Sequence, residues 1–164
     1  MASGDTLLAW TAQSNQPPAS NAATLDTRNE HPVLDFDAST NESAIFSGVL
    51  PRNYAGTTGI TVAIHYSMTS ATSGDIDWDV ALERIGDQQQ DVDSDGFAAA
   101  NSVDNTTVPG TSGNVDIVTV TFTDGADMDS IAVGEKFRLK ITRDAVSDTA
   151  AGDAELHAIE IKET

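Results

Sequence analysis

The sequence predicts an all-β protein, an antiparallel β-sandwich or jelly roll of about eight strands with minimal helix. Three observations lead to that class. Apolar residues recur at every second position over several separate stretches, the period of a half-buried strand. Clusters of Gly, Asn, Asp and Ser, such as Ser70-Ala71-Thr72-Ser73-Gly74, punctuate those stretches as turns do. Helical candidates are confined to Ala126–Ala132 and a turn at Ala98-Ala99-Ala100, too short to build a layer. Without crossover helices a doubly wound parallel sheet is excluded. One apolar and one polar face per strand is what two antiparallel sheets packed face to face require; the strand count also suits a closed barrel.

Along the chain, Thr6 to Thr11 and His31 to Asp37 read as strands, the second with Leu34 and Phe36 on one face. Glu42 to Leu50 is apolar and β-rich. Gly59 to Thr69 alternates most clearly, with Ile60, Val62, Ile64, Tyr66 and Met68 on one face and Ala63, His65 and Ser67 on the other. Asp75 to Glu83 turns Ile76, Trp78, Val80 and Leu82 inward and Asp75, Asp77, Asp79 and Glu83 outward. Phe97 to Val103 is ambiguous between strand and turn, and Asn114 to Thr123 buries Val118, Val120 and Phe122. Glu135 to Arg143 buries Phe137, Leu139 and Ile141 and turns Lys136, Arg138 and Lys140 outward. In Ala154 to Lys162, Leu156 is in phase with Ala154, while Ile159 and Ile161 are one step out, the mark of a β-bulge. The acidic outer face of 75–83 and the basic outer face of 136–140 are complementary, which predicts that these strands are neighbours. Were they apart, the basic stripe would be a docking surface for an acidic partner.

A chain of 164 residues fits one domain: an N-terminal strand and possible arm over 1–25, then a sandwich over 26–164. There are no cysteines, which excludes disulfides and thiolate metal sites. The net charge is −18, from 26 acidic and 8 basic residues. Such a surface repels phosphate backbones and anionic lipids, so neither nucleic acid nor membrane is an expected partner. The first residues, Met1-Ala2-Ser3-Gly4-Asp5, lack the basic and apolar regions of a secretory signal, so synthesis in a cytoplasm is expected.

Few residues suggest chemistry. Asp91-Val92-Asp93-Ser94-Asp95-Gly96 has the start of a calcium loop, but the twelfth position is Ser102 where a bidentate acid is needed. It reads as a solvated acidic turn, with calcium held by Asp91, Asp93 and Asp95 as the alternative. His31, His65 and His157 lack ligand spacing and read as isolated polar-face residues, a shared metal site on neighbouring strands being the alternative. The acids are expected on outer faces and turns, with ordinary acidity, and no nucleophile elbow or phosphate-cradling loop is present. No catalytic residue, cofactor or metal ligand is therefore nominated. For sugar stacking the aromatic stock is Trp10, Tyr54, Tyr66 and Trp78; Tyr66 and Trp78 belong to buried strand faces, leaving Trp10 and the loop residue Tyr54.

Three stretches carry a family resemblance: His31-Pro32-Val33-Leu34-Asp35-Phe36-Asp37, the run from Ala44-Ile45-Phe46 to Arg52-Asn53-Tyr54, and Ala151-Gly152-Asp153-Ala154-Glu155-Leu156. In these the chain resembles head decoration, or cement, proteins of tailed bacteriophages. The resemblance implies a jelly-roll homotrimer on the outer capsid surface, bound to the major capsid protein at three-fold or quasi-three-fold positions and stabilising the shell. The 1–25 segment, with Gln16-Pro17-Pro18-Ala19-Ser20, would be the capsid-facing arm, or else a first strand followed by an ordinary polar loop. A carbohydrate- or receptor-binding module on the virion is the alternative function, and neither reading is enzymatic.

Overall fold

The computed structural model describes residues 4–164. Ten strands form two antiparallel sheets: β1 (Thr6–Thr11), β2 (Thr24–Arg28), β3 (His31–Phe36), β4 (Glu42–Val49), β5 (Ile60–Met68), β6 (Asp75–Ile85), β7 (Asn101–Thr107), β8 (Asp116–Phe122), β9 (Lys136–Arg143) and β10 (Ala154–Glu163). Short 3-10 turns at Ala12–Ser14 and Ala126–Met128 are the only helical elements among the described residues. The first sheet runs β2-β3-β10-β5-β8, with β1 also on β10; the second runs β4-β9-β6-β7. From β3 onward the chain changes sheet at every connection except that between β6 and β7, which is the jelly-roll path.

Alternation builds the core as the sequence leads one to expect. Ile60, Val62, Ile64, Tyr66 and Met68 of β5 face Ile76, Trp78, Val80 and Leu82 of β6 across the sandwich, all buried. Trp78 is the centre of this layer, with Phe36 at 5.1 Å and Tyr66 at 5.6 Å between ring centroids, both edge-on. Full burial of each large side chain contributes roughly 1.5–3 kcal/mol.

The count exceeds eight because β2 and β7 are sheet-edge strands with little apolar patterning. Residues 98–100, the possible helical turn, are instead irregular chain leading into β7. The phase slip in β10 is a bulge: its register with β5 shifts between Leu156 and Ala158. The bulge divides one edge of β10 between two partners, β3 along Ala154–Leu156 and β1 along Ala158–Lys162. Along 4–25 the chain is bonded into the domain: β1 pairs with β10, Gln16 N–H donates to Ile45 O, and Ala23 N–H donates to Ser43 O. Met1–Ser3, the first residues of the expected arm, lie outside the described residues, and β2 crosses the expected boundary at 25.

β6 and β9 are neighbours, as their charges suggest, but only one pair of opposite charges is in register: Glu83 faces Arg138 and forms an ion pair. Asp77 and Glu83, expected in solvent, are buried, and Asp77 Oδ1 accepts the Asn105 N–H at 2.6 Å.

Arg143 continues the inward phase of Phe137, Leu139 and Ile141 and is fully buried. Its Nε donates to Asp148 Oδ2 at 2.7 Å and its Nη2 to Oδ1 at 3.3 Å. The remaining donors reach the carbonyls of Phe36, Ala150 and Gly152. One side chain of the second sheet thereby holds β3 of the first and the loop leading to β10. Arg143→Met is expected to cost about 3–5 kcal/mol in urea unfolding, because Asp148 is left buried and unpaired, and Arg143→Met with Asp148→Leu to regain much of it. A loss under about 1 kcal/mol for the single variant would remove the clamp role.

Candidate functional site

The outer face of the second sheet is a groove with two walls. Its floor is the outward row of β9, Lys136, Arg138, Lys140 and Thr142, flanked by Ser43 and Ser47 of β4 and by Asp79, Ala81 and Glu83 of β6. One wall is the segment after β1. It is held on β4 by backbone bonds to Ile45 and Ser43, by Asn15 Oδ1 accepting the Ile45 N–H, and by Ser47 Oγ donating to Gln16 Oε1. The other wall is the long connection from β6 to β7, tied down by Ala98 N–H donating to Leu82 O. Two depressions follow β9 end to end, of about 480 Å³ around Lys140 and about 310 Å³ around Lys136.

Phe97 projects from the second wall over this floor. Its ring centroid lies 4.7 Å from Lys140 Nζ and 4.9 Å from the Arg138 guanidinium carbon, so the ring is fixed by two cation–π contacts. Ala81 lines the same depression, and its small side chain leaves the ring room to reach β9. Around it stand Asn41, whose amide donates to Asp144 at 2.8 Å, and the Ser43–Thr142 hydroxyl pair at 2.8 Å. The arrangement offers one half-buried aromatic ring, two cations and several hydroxyl and amide groups in a shallow channel: binding chemistry.

The aromatics anticipated for stacking lie elsewhere. Tyr54 is buried; its hydroxyl donates to Asp124 Oδ1 at 2.8 Å and accepts the Gly59 N–H at 3.0 Å. Burial and the Asp124 carboxylate push its acidity far below that of an ordinary phenol. Trp10 packs on Phe46 and Phe137 at 5.9 and 6.1 Å, where Gly48 is required: a Cβ there would lie 2.8 Å from the indole. Tyr66 and Trp78 are core residues, as expected. Phe97 was hidden in the ambiguous stretch before β7; its signal was a lone aromatic in a polar, alanine-rich loop.

Asp91, Asp93 and Asp95 are exposed in a turn in which Asp91 Oδ1 accepts the Asp93 N–H at 3.0 Å. Among the described residues no three His, Asp or Glu side chains converge to hold a metal. The histidines are nonetheless less scattered than their spacing implies, since His31, His65 and His157 share the outer face of the first sheet. His157 Nε2 and Ser67 Oγ are hydrogen-bonded at 2.8 Å, and Ser67 Oγ donates to Glu155 at 3.1 Å, which also pairs with Arg28. Burial holds His157 below the usual imidazole range, and its neighbours His31, Arg28 and His65 push the same way against the opposing pull of Glu155. Serine, histidine and glutamate meet here, but the acid holds the serine and not the imidazole, which is not a nucleophile–base–orienter relay.

No family model and no curated protein matches the chain. Solved structures do. A family 35 carbohydrate binding module from an environmental isolate aligns with 94% of this chain and 91% of its own at 13% identity and a TM-score of 0.55. The CBM22-1 xylan-binding domain of Xyn10C from Paenibacillus barcinonensis aligns over 99% and 96% at 13% identity and 0.55. The xylan-binding module CBM15 aligns over 99% and 95% at 11% identity and 0.50. Likeness at such identity establishes the jelly-roll fold, and these neighbours give the head-decoration reading no support.

The acids are not all ordinary: hydrogen bonds hold Asp37, Asp127, Glu135 and Asp144 below the usual carboxylate range, and one acid departs upward. Asp35, on β3 opposite Glu155, is raised to about 6, first by burial and then by Asp153, Glu155, Asp26 and Glu42. Its Oδ1 has no hydrogen-bond partner. Because the folded state holds this proton more tightly than the unfolded chain, stability falls as pH rises from about 4 through about 6. Asp35→Asn is therefore expected to raise the melting temperature at pH 7.5, with the gain vanishing near pH 4; equal gains at both would exclude the charge as the cause.

Proposed function

We propose that the chain is a non-catalytic carbohydrate-binding module that holds a glycan along the outer face of the second sheet. The observation that carries this is Phe97, fixed over Arg138 and Lys140 in a channel walled on both sides and edged with Asn41, Ser43 and Thr142. An aromatic face suits the C–H face of a sugar ring, and the surrounding amide, hydroxyl and ammonium groups suit its hydroxyls. The likeness to carbohydrate-binding modules, two of them xylan-binding, supports the same reading. No nucleophile–base pair or paired carboxylate is assembled in the channel, so its role is retention.

A second reading, the virion decoration protein, is carried by the sequence resemblance. Its stretches fall on β3, on β4 with the turn to Tyr54, and on the start of β10. Those segments build the sandwich and its Arg143 clamp and contribute little to the groove, so the resemblance bears on the fold more than on the binding face. In this reading the partners are the major capsid protein and two further copies, on the outer surface of a phage head.

Affinity electrophoresis through neutral and acidic polysaccharides separates the two. The parent is expected to be retarded by at least one polymer, and Phe97→Ala to lose roughly tenfold in affinity, about 1.4 kcal/mol, with its melting temperature unchanged. No retardation by any polymer, with a mass of roughly 52 kDa by light scattering instead of 17.2 kDa, would move the assignment to the trimeric virion protein.

A further inference from the structure

The charge on the groove floor runs against the rest of the molecule. The chain has 26 acidic residues and 8 basic ones, yet three of the eight, Lys136, Arg138 and Lys140, occupy successive outward positions of β9. Same-face neighbours on a strand are about 6.5–7 Å apart, so the three form a line of about 13 Å along the channel.

Ion pairing within the sheet does not account for the two lysines. Arg138 has Glu83, almost wholly buried beneath it, and remains a third exposed, with guanidinium donors left for a ligand. Lys140 instead faces Ala81 on β6 and Ile45 on β4, and Lys136 faces Ile85 and Val49. Their cross-strand neighbours are apolar on both sides, where an acid would have neutralised each at little cost. No carboxylate among the described residues lies within ion-pair distance of either lysine. Three cations against Glu83 and Asp79 leave this floor net positive, inside a surface that is otherwise strongly negative.

We infer that the glycan taken by this groove is anionic, a polysaccharide bearing carboxylates or sulfate esters contacted by Lys136, Arg138 and Lys140; the inference rests on the carbohydrate reading of the same face. Phe97 supplies the stacking surface beside the charges. The surrounding acids serve selectivity: the net negative charge of the molecule repels a polyanion in general, while the β9 stripe attracts it and sets the line along which it lies.

The test is affinity electrophoresis with polygalacturonate, dextran sulfate, neutral xylan and poly-glutamate, on the parent and on Lys136→Gln/Lys140→Gln. The expected result is retention by polygalacturonate or dextran sulfate in excess of xylan, the better of the two telling carboxylate from sulfate. The double variant is expected to lose at least tenfold of that retention with its melting temperature unchanged. Raising salt from about 0.05 to about 0.5 M is expected to weaken the parent far more than the variant. Xylan bound as tightly as the acidic polymers, with the variant unaffected, would overturn the anionic inference and leave the carbohydrate reading standing. Retention by no polysaccharide would overturn both. Poly-glutamate bound as well as polygalacturonate would also overturn the inference, since the stripe would then serve acidic proteins.

Discussion

Two sheets packed through apolar side chains alone can slide and splay; Arg143 gives this sandwich a fixed joint. Its guanidinium has five donors, and every bond it makes crosses from β9 to the loop 148–152 or to β3. Taking a guanidinium out of water is costly, and only a near-complete set of acceptors offsets it. The backbone of β3, the approach to β10 and the end of β9 must therefore be in place together. The outer face of β9 inherits that rigidity, because Arg143 and Lys140 belong to the same eight-residue strand. The groove is a surface property of a strand whose other side is locked.

Much of this architecture was legible from alternation. The strands that became β5, β6, β8 and β9 declare their inner faces by period two, and the bulge in β10 declares itself by a phase slip. β2 escaped notice and β7 was only half seen, in the ambiguous stretch Phe97 to Val103, for a physical reason: edge strands of mostly polar sequence bury almost nothing, so Thr24–Arg28 and Asn101–Thr107 carry little periodic signal. Arg143 was readable in principle, since an arginine in phase with Phe137, Leu139 and Ile141 must either break the pattern or find a buried acid.

The groove was not legible, because it belongs to no single stretch. Its floor comes from β9, its aromatic from a loop some forty residues earlier, and its far wall from the segment after β1. The basic stripe was visible, but the sequence could not tell whether acids of the neighbouring strand would cancel it. Register decides that, and register sets Ala81 and Ile85, not acids, against the lysines. Similarly, the three histidines came together only because β3, β10 and β5 are adjacent in space while far apart in the chain.

The divided edge of β10 has a consequence for how the molecule is made. β10 is bonded to β5 along one side and to both β1 and β3 along the other, so the first sheet has no interior until residues 154–163 exist. On a ribosome the first nine strands emerge with that slot open, leaving the edges of β3 and β5 that face it unpaired until the last strand arrives. Pairings this distant in sequence form slowly. The heavy negative charge then has a second use: nascent chains waiting for their closing strand repel one another, which guards against edge-to-edge association before the slot is filled.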